Sequence, residues 1–199
     1  MARQRVGLFG GSFNPPHLAH LIVAEQVREQ AGLDRVLWVP CHTPPHKDEQ
    51  ELAPPHHRLA MVRLAVEGNP FFEVSDIEIR RGGRSYTIDT IRALQAQHPD
   101  WELMLILGED SLRTFHTWRA PEEIVARVPL IVYHRPDAPD HPVDPRFLAR
   151  TTFVEAPLLE ISATEIRRRC REGRSIRYLV PELVRQYIIK NQLYGASVR

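Results

Sequence analysis

The chain is short of cysteine, of long apolar runs and of net charge, and each shortage removes a class of protein. Cys41 and Cys170 are the only cysteines among 199 residues. They form no CxxC pair and are too few for a disulfide framework, so the chain reads as a reduced, cytoplasmic protein. Its strongest apolar run, Leu103 to Leu107, is far below the ~18 residues of a membrane span. The basic start MARQRVGLFGG turns into glycines too early for a signal peptide. With 26 Lys+Arg against 25 Asp+Glu the net charge is +1, which excludes a broad polyanion-binding surface and leaves no nucleic acid and no membrane among the expected partners. The GxGxxG of dinucleotide-binding turns and the GKS or GKT of a P-loop are also missing.

Proline is plentiful, 17 of 199 residues where ~5% is usual. It gathers in two loops, Pro40 to Pro55 and Pro136 to Pro145, and loops of that length in a compact domain usually serve a function. Between the prolines, short apolar runs alternate with helical patterns. Strands are expected at Arg5–Phe9, Arg35–Val39, Phe71–Ile79, Glu102–Leu107, Leu130–Tyr133 and Thr152–Glu155. Helices are expected at Leu18–Gln30, Pro55–Val66, Ile88–Gln97, Pro121–Ala126 and Ala163–Arg171. The alternation predicts an α/β fold with a doubly wound, Rossmann-like parallel sheet, and the unbroken runs LMLIL and LIVY suit strands buried on both faces. A further helical pattern, Pro181 to Tyr194, follows Gly173. Residues 1–173 are therefore expected to form the α/β domain, and 174–199 a helical appendage packed on it.

Sheets of this class bind ligands at the carboxyl ends of their strands, which directs attention to the turn after the first strand, Gly10-Gly11-Ser12-Phe13-Asn14-Pro15-Pro16-His17-Leu18-Ala19-His20. Two glycines let backbone N–H groups approach an anion, and the following helix points its positive end at the same place. His17 and His20, three apart, share one face of that helix start. A pair without a nearby carboxylate is a poor zinc site. The plain alternative is a Gly/Pro turn with two incidental histidines.

The turn resembles the GxFxPxHxGH signature of the nucleotidyltransferase superfamily, with Gly11, Phe13, Pro15, His17 and His20 in register and Ala19 where glycine is usual. Near the other end, Ile161-Ser162-Ala163-Thr164-Glu165-Ile166-Arg167 reads structurally as a Ser162/Glu165 capping box. It also resembles the superfamily's ISSTxIR motif, whose helix start and arginine hold ATP phosphates, with Ala163 replacing one serine. Arg168, Arg169, Arg171 and Arg174 lie on several faces and read as solvated. An RNA-binding role for residues 167–177 leaves the first turn unexplained.

The middle of the chain resembles the bacterial nicotinate-nucleotide adenylyltransferase family: Pro44-Pro45-His46-Lys47, Arg58 with Met61, Arg81 to Thr90, Gly108-Glu109-Asp110 with Phe115 and Trp118, and Ile176 to Pro181 with Tyr187-Ile188 and Leu193-Tyr194. The resemblance implies adenylyl transfer from ATP to nicotinate mononucleotide with Mg2+, giving nicotinate adenine dinucleotide and pyrophosphate. The implied catalytic groups are His17, His20, Lys47 and Arg167. ATP would meet Gly10, Gly11, Ser12, Phe13, His17, His20, Gly108, Ile161, Ser162, Thr164 and Arg167. The mononucleotide would meet Ser12, Lys47, Tyr86, Thr87, Asp110, Trp118 and Arg119, its carboxylate facing the backbone at Thr87 and at Trp118–Arg119. Each position has a plainer reading: Trp118 as core, Thr87 as a helix cap, Asp110 as a satisfied cap, Lys47 as a solvated loop residue. The phosphate nucleophile needs no general base, and Mg2+ is expected to ride on the phosphates and water, with no dedicated protein metal site. Nicotinamide mononucleotide or phosphopantetheine as acceptor, and a non-catalytic nucleotide-binding module, are the competing readings. Six of the ten histidines precede residue 58. Of these, His17 and His20 receive a function, His46 is left open, and His42, His56 and His57 are expected on the loop surface.

Overall fold

The computed structural model describes residues 3–45, 52–134 and 143–196. Six parallel strands form one sheet in the order β3-β2-β1-β4-β5-β6: β1 Gln4–Gly11, β2 Arg35–Pro40, β3 Phe72–Val74, β4 Trp101–Gly108, β5 Leu130–Tyr133 and β6 Thr151–Val154. The expected α/β class and parallel sheet are what is found. The chain winds outward from β1 to β3, then crosses to β4 on the other side of β1. A crevice therefore opens at the carboxyl ends of β1 and β4, the place where such sheets hold ligands.

Alternation along the strands assigns the two faces. Val6 and Leu8 of β1, Leu37 and Val39 of β2 and Leu103, Leu105 and Leu107 of β4 pack in one buried cluster. The intervening Phe9, Val36, Trp38, Met104 and Ile106 pack in another. Helices α4 (Thr87–Gln97) and α6 (Pro121–Arg127) cover the first face. Helices α1 (Leu18–Gln30) and α2 (Pro55–Val66) cover the second. Gly7 is required by this layering: a Cβ there would lie 2.6 Å from Leu33 Cδ1 and 2.7 Å from Ile106 Cδ1. Pro55 and Pro121 each open their helix at the first turn, where a missing N–H costs nothing.

The segment Phe71–Ile79, expected as one strand, is corrected to a three-residue strand followed by helix α3, Ile77–Arg81. The short helices α5 (Glu109–Arg113) and α7 (Pro145–Leu148) add to those expected from the sequence. At the carboxyl end, α8 (Ala163–Arg171) and α9 (Glu182–Lys190) lead to a 3-10 turn at Leu193–Gly195. Ile166, Cys170, Val184, Ile188 and Leu193 close a third cluster with Met61 and Ala65 of α2. Cys41 and Cys170 are both buried thiols outside any disulfide. No helix among the described residues is long and apolar enough to cross a membrane.

Candidate functional site

The first turn is built from residues that leave few alternatives to one another. Phe13 adopts a left-handed backbone (φ 46°) and the Asn14–Pro15 peptide is cis. The Phe13 ring lies so close over Gly11 that a Cβ at Gly11 would sit 3.1 Å from it. That ring also meets Phe9 at 5.7 Å, Trp38 at 5.3 Å and His20 at 5.2 Å between centroids, so Phe13 braces the turn from beneath.

His17, only 4% exposed, is the residue at which α1 begins. Its ring stacks on His20 at 3.6 Å, and its backbone N–H donates to His20 Nδ1 at 3.2 Å. An acceptor Nδ1 leaves the proton of neutral His20 on Nε2, so this imidazole is a donor at its far edge. Both rings border a cavity of about 910 Å3.

A second segment, the start of α8, meets the first turn at the cavity. Ser162 Oγ accepts from Glu165 N–H at 3.2 Å and caps α8. Only half of the expected capping box forms, because the Glu165 carboxylate turns to Arg168. Arg167, 9% exposed, donates to the Asn14 carbonyl at 3.1 Å and reaches Thr164 Oγ1 at 3.4 Å. Arg168, Arg169 and Arg174, by contrast, pair with Glu165 and Glu172 on the outside of the helix.

At the other end, Tyr86 precedes α4, and the Thr87 amide is the first of that helix, where no helical carbonyl is available to it. Thr87 does not cap; the helix starts on it. Arg119 lies over the Tyr86 ring, its guanidinium carbon 4.6 Å from the centroid, and reaches Asp89 at 3.5 Å. Trp118 meets Phe115 at 5.1 Å and is only half-buried against the core, so its plain reading as core is partly right. Its amide is engaged with the Phe115 carbonyl at 3.0 Å. Of the backbone groups expected to face a carboxylate, Thr87 and Arg119 are the better placed.

The cavity thus brings together Gly10, Gly11, Ser12, Phe13, His17, His20, Gly108, Ser162, Thr164 and Arg167 with Tyr86, Thr87, Asp110, Trp118 and Arg119. Ile161 is an exception: it packs against the third cluster and is not among the residues lining the cavity. His46 and Lys47 lie outside the described residues. His57, expected on the loop surface, instead faces Tyr187, with Nδ1 2.9 Å from its hydroxyl. Burial, with neighbouring His56 second, lowers its pKa.

Sequence reasoning missed three groups here. Arg58 is fully buried; it donates to the carbonyls of Ala53, Ser12, Cys41 and His42 at 2.9, 2.9, 2.7 and 2.6 Å. Glu78 is buried on the cavity wall, and burial raises its pKa against the opposing hydrogen bonds from Thr90 and Ser85 and the charge of Arg81. Ser85 Oγ in turn accepts from His42 N–H at 2.9 Å. Asn14, the third, is 3% exposed. Arg58 stands in a recognisable RxxM spacing, but nothing in that spacing announces a buried cation.

Comparison with known proteins bears on the family and the fold. Residues 8–169 match the cytidylyltransferase-like family. The chain is 59% identical over 189 residues to a protein of Salinibacter ruber named "probable nicotinate-nucleotide adenylyltransferase", covering 95% of this chain and 97% of that one. It is 43% identical over 194 residues to a protein of the same name from Lactiplantibacillus plantarum, with 96% and 88% covered. A solved Plasmodium falciparum nicotinic acid mononucleotide adenylyltransferase complexed with NaAD shares the fold with a TM-score of 0.80 at 21% identity, over 98% of this chain and 100% of that one.

Proposed function

Because the chain belongs to the nicotinate-nucleotide adenylyltransferase family, of cytidylyltransferase-like fold, we propose that it transfers the adenylyl group of ATP to nicotinate mononucleotide in the cytoplasm. The products are nicotinate adenine dinucleotide and pyrophosphate. The observation that carries this reading is the convergence of the His17/His20 turn and the Arg167 helix start on one end of a cavity whose other end presents Tyr86, Thr87, Trp118 and Arg119.

A phosphate oxygen of the mononucleotide attacks the α-phosphorus of ATP, and the bond to the β-phosphate oxygen breaks. The second pKa of such a phosphate lies near ~6, so at neutral pH the nucleophile is mostly dianionic and no general base is needed. Catalysis is then positioning and charge stabilisation. His20 Nε2–H and His17 donate to the triphosphate, and Arg167 neutralises charge that builds on the transferring and leaving phosphates. Lys47 is assigned the same task from the sequence.

Among the described residues no group of three or more His, Cys, Asp or Glu is placed to hold a metal. Mg2+ is proposed as the companion of ATP, where phosphate oxygens and water would hold it and it would add to the neutralisation of the triphosphate. Trp118 offers a face for the pyridine ring, and the Thr87 amide with the positive end of α4 offers donors to the nicotinate carboxylate.

The decisive experiment compares kcat/KM for nicotinate and nicotinamide mononucleotides by pyrophosphate release at fixed ATP and Mg2+. Amide donors that face an acid are left facing an NH2 group in nicotinamide, so the acid should be preferred by at least about two orders of magnitude. Preference for the amide, or ATP binding without turnover, would overturn the assignment.

A further inference from the structure

We infer that Tyr194, through Asn14, is a positioning residue for adenylyl transfer: the carboxyl-terminal turn sets the geometry of the phosphate end of the cavity. The inference rests on the function proposed above. Tyr194 Oη donates to Asn14 Oδ1 at 2.8 Å. The same Oδ1 accepts from Ala53 N–H at 3.0 Å, and the Asn14 carbonyl accepts from Arg167 at 3.1 Å. One residue thus gathers three segments. The first is α8, which carries Arg167. The second is the chain at Ala53, which precedes α2. The third is the carboxyl-terminal turn. His17 follows Asn14 by three positions, so the His17 turn and Arg167 are both tied to this joint.

Two more observations place the terminal segment in that role. Leu18 N–H, the first amide of α1, donates to the Leu179 carbonyl at 3.0 Å. The terminal segment therefore grips the turn on both sides of Pro15-Pro16 and uses one amide that the helix start would otherwise present to an anion. The backbone also bends unfavourably to deliver the hydroxyl: Gln192 and Tyr194 are both left-handed without being glycine, at φ 54° and 58°. Such conformations persist only where the surroundings enforce them. Burial pushes the Tyr194 hydroxyl above its ordinary pKa, so it remains a donor throughout the neutral range.

Tyr194→Phe removes this bond and keeps the ring that packs against the third cluster. Losing one neutral hydrogen bond that holds the phosphate end should lower kcat about 5- to 10-fold and weaken ATP binding measured by calorimetry. The calorimetric Kd for nicotinate mononucleotide should change less than that for ATP, because its pyridine end is assigned to Tyr86, Thr87 and Trp118 and only its phosphate shares the end that Asn14 gathers. A purely structural role would loosen both ligands together or leave turnover per folded molecule unchanged, and either result overturns the inference. Hydrogen exchange on the wild-type protein gives a test independent of the variant's folding. A non-hydrolysable ATP analogue should slow exchange in the peptides containing Ala53 and Tyr194, and nicotinate mononucleotide alone should not. Unchanged exchange with the analogue overturns the inference too. An inactive wild-type enzyme would defeat the proposed function itself, a result distinguishable from these.

Discussion

His20 uses its two ring nitrogens for different purposes, and substitution can separate them. Nδ1 accepts from His17 N–H at 3.2 Å and stabilises the start of α1; Nε2–H is the donor that the proposed function assigns to the triphosphate. An asparagine oxygen occupies roughly the place of Nδ1, while a glutamine amide nitrogen reaches roughly the place of Nε2. In His20→Asn the helix start keeps its acceptor and the phosphate donor is gone, which by analogy with an oxyanion donor costs about 2.7–4 kcal/mol, or 10²–10³ in kcat. Thermal stability should fall little. In His20→Gln the phosphate donor is partly restored and the acceptor at the helix start is lost, a cost of about 1 kcal/mol that lowers Tm by about 2–4 °C in a chain of this size. Steady-state pyrophosphate release and differential scanning calorimetry on both variants and on His20→Ala provide the assay. The expected order of kcat is wild type, Gln, then Asn and Ala, whereas the expected order of Tm places Asn above Gln. A near-normal kcat for His20→Asn, or a glutamine variant no more active than asparagine, would refute this division of labour.

Trp118→Ala should raise KM for nicotinate mononucleotide by the equivalent of about 1–3 kcal/mol of stacking and change KM for ATP little; an unchanged mononucleotide KM in initial-rate assays removes Trp118 from the acceptor end. Arg58→Met strands four carbonyls, those of Ala53 and Cys41 buried and those of Ser12 and His42 partly so, and should cost at least about 3 kcal/mol in chemical denaturation, and Arg58→Lys should rescue it poorly, because an ammonium cannot reproduce the planar fork. Glu78 has a pKa raised above its ordinary 4.5 by burial, so the folded state binds the proton more tightly than the unfolded state and this residue's contribution to stability declines as pH rises from about 4.5 through the folded pKa. Wild type should therefore lose stability relative to Glu78→Gln across that rise in urea titrations at a series of pH values, and a flat difference would show that Glu78 is not desolvated.

The frame of the molecule was legible because its signals are local. Apolar runs such as Leu103 to Leu107 have the length of buried strands, Pro55 and Pro121 mark helix starts, and the Gly10–His20 turn carries its chemistry in eleven consecutive residues. The failure at Phe71–Ile79 was local too. Phe72 with Val74 and Ile77 with Ile79 each alternate as in a strand, but Ser75-Asp76 puts the two pairs out of phase, and Ser75 Oγ accepting from Ile77 N–H with Asp76 accepting from Arg80 starts a helix instead. What sequence could not give was contact at a distance. Arg58 joins carbonyls 46 and 17 positions away, and Tyr194 meets Asn14 across 180. No periodicity encodes those meetings, so the residues that hold the site were less visible than the residues that face it.

The same long-range contacts explain how a chain of net charge +1 can offer the phosphate site proposed above. A surface arginine neutralised by a carboxylate adds little field, and Arg168 and Arg169 on the outside of α8 are neutralised in this way by Glu165 and Glu172. Arg58 is instead held by carbonyl oxygens at Ser12, Cys41, His42 and Ala53. These satisfy its hydrogen bonds without cancelling its charge. Ser12 lines the cavity, so the retained positive charge sits one residue behind the wall, in surroundings that screen it less than water would. Arg167 adds a second buried cation at the mouth of the same turn. The balance of charge over the whole molecule and the attraction of one cavity for phosphate are thus set by different arginines: those with carboxylate partners fix the sum, and those buried among neutral oxygens fix the site.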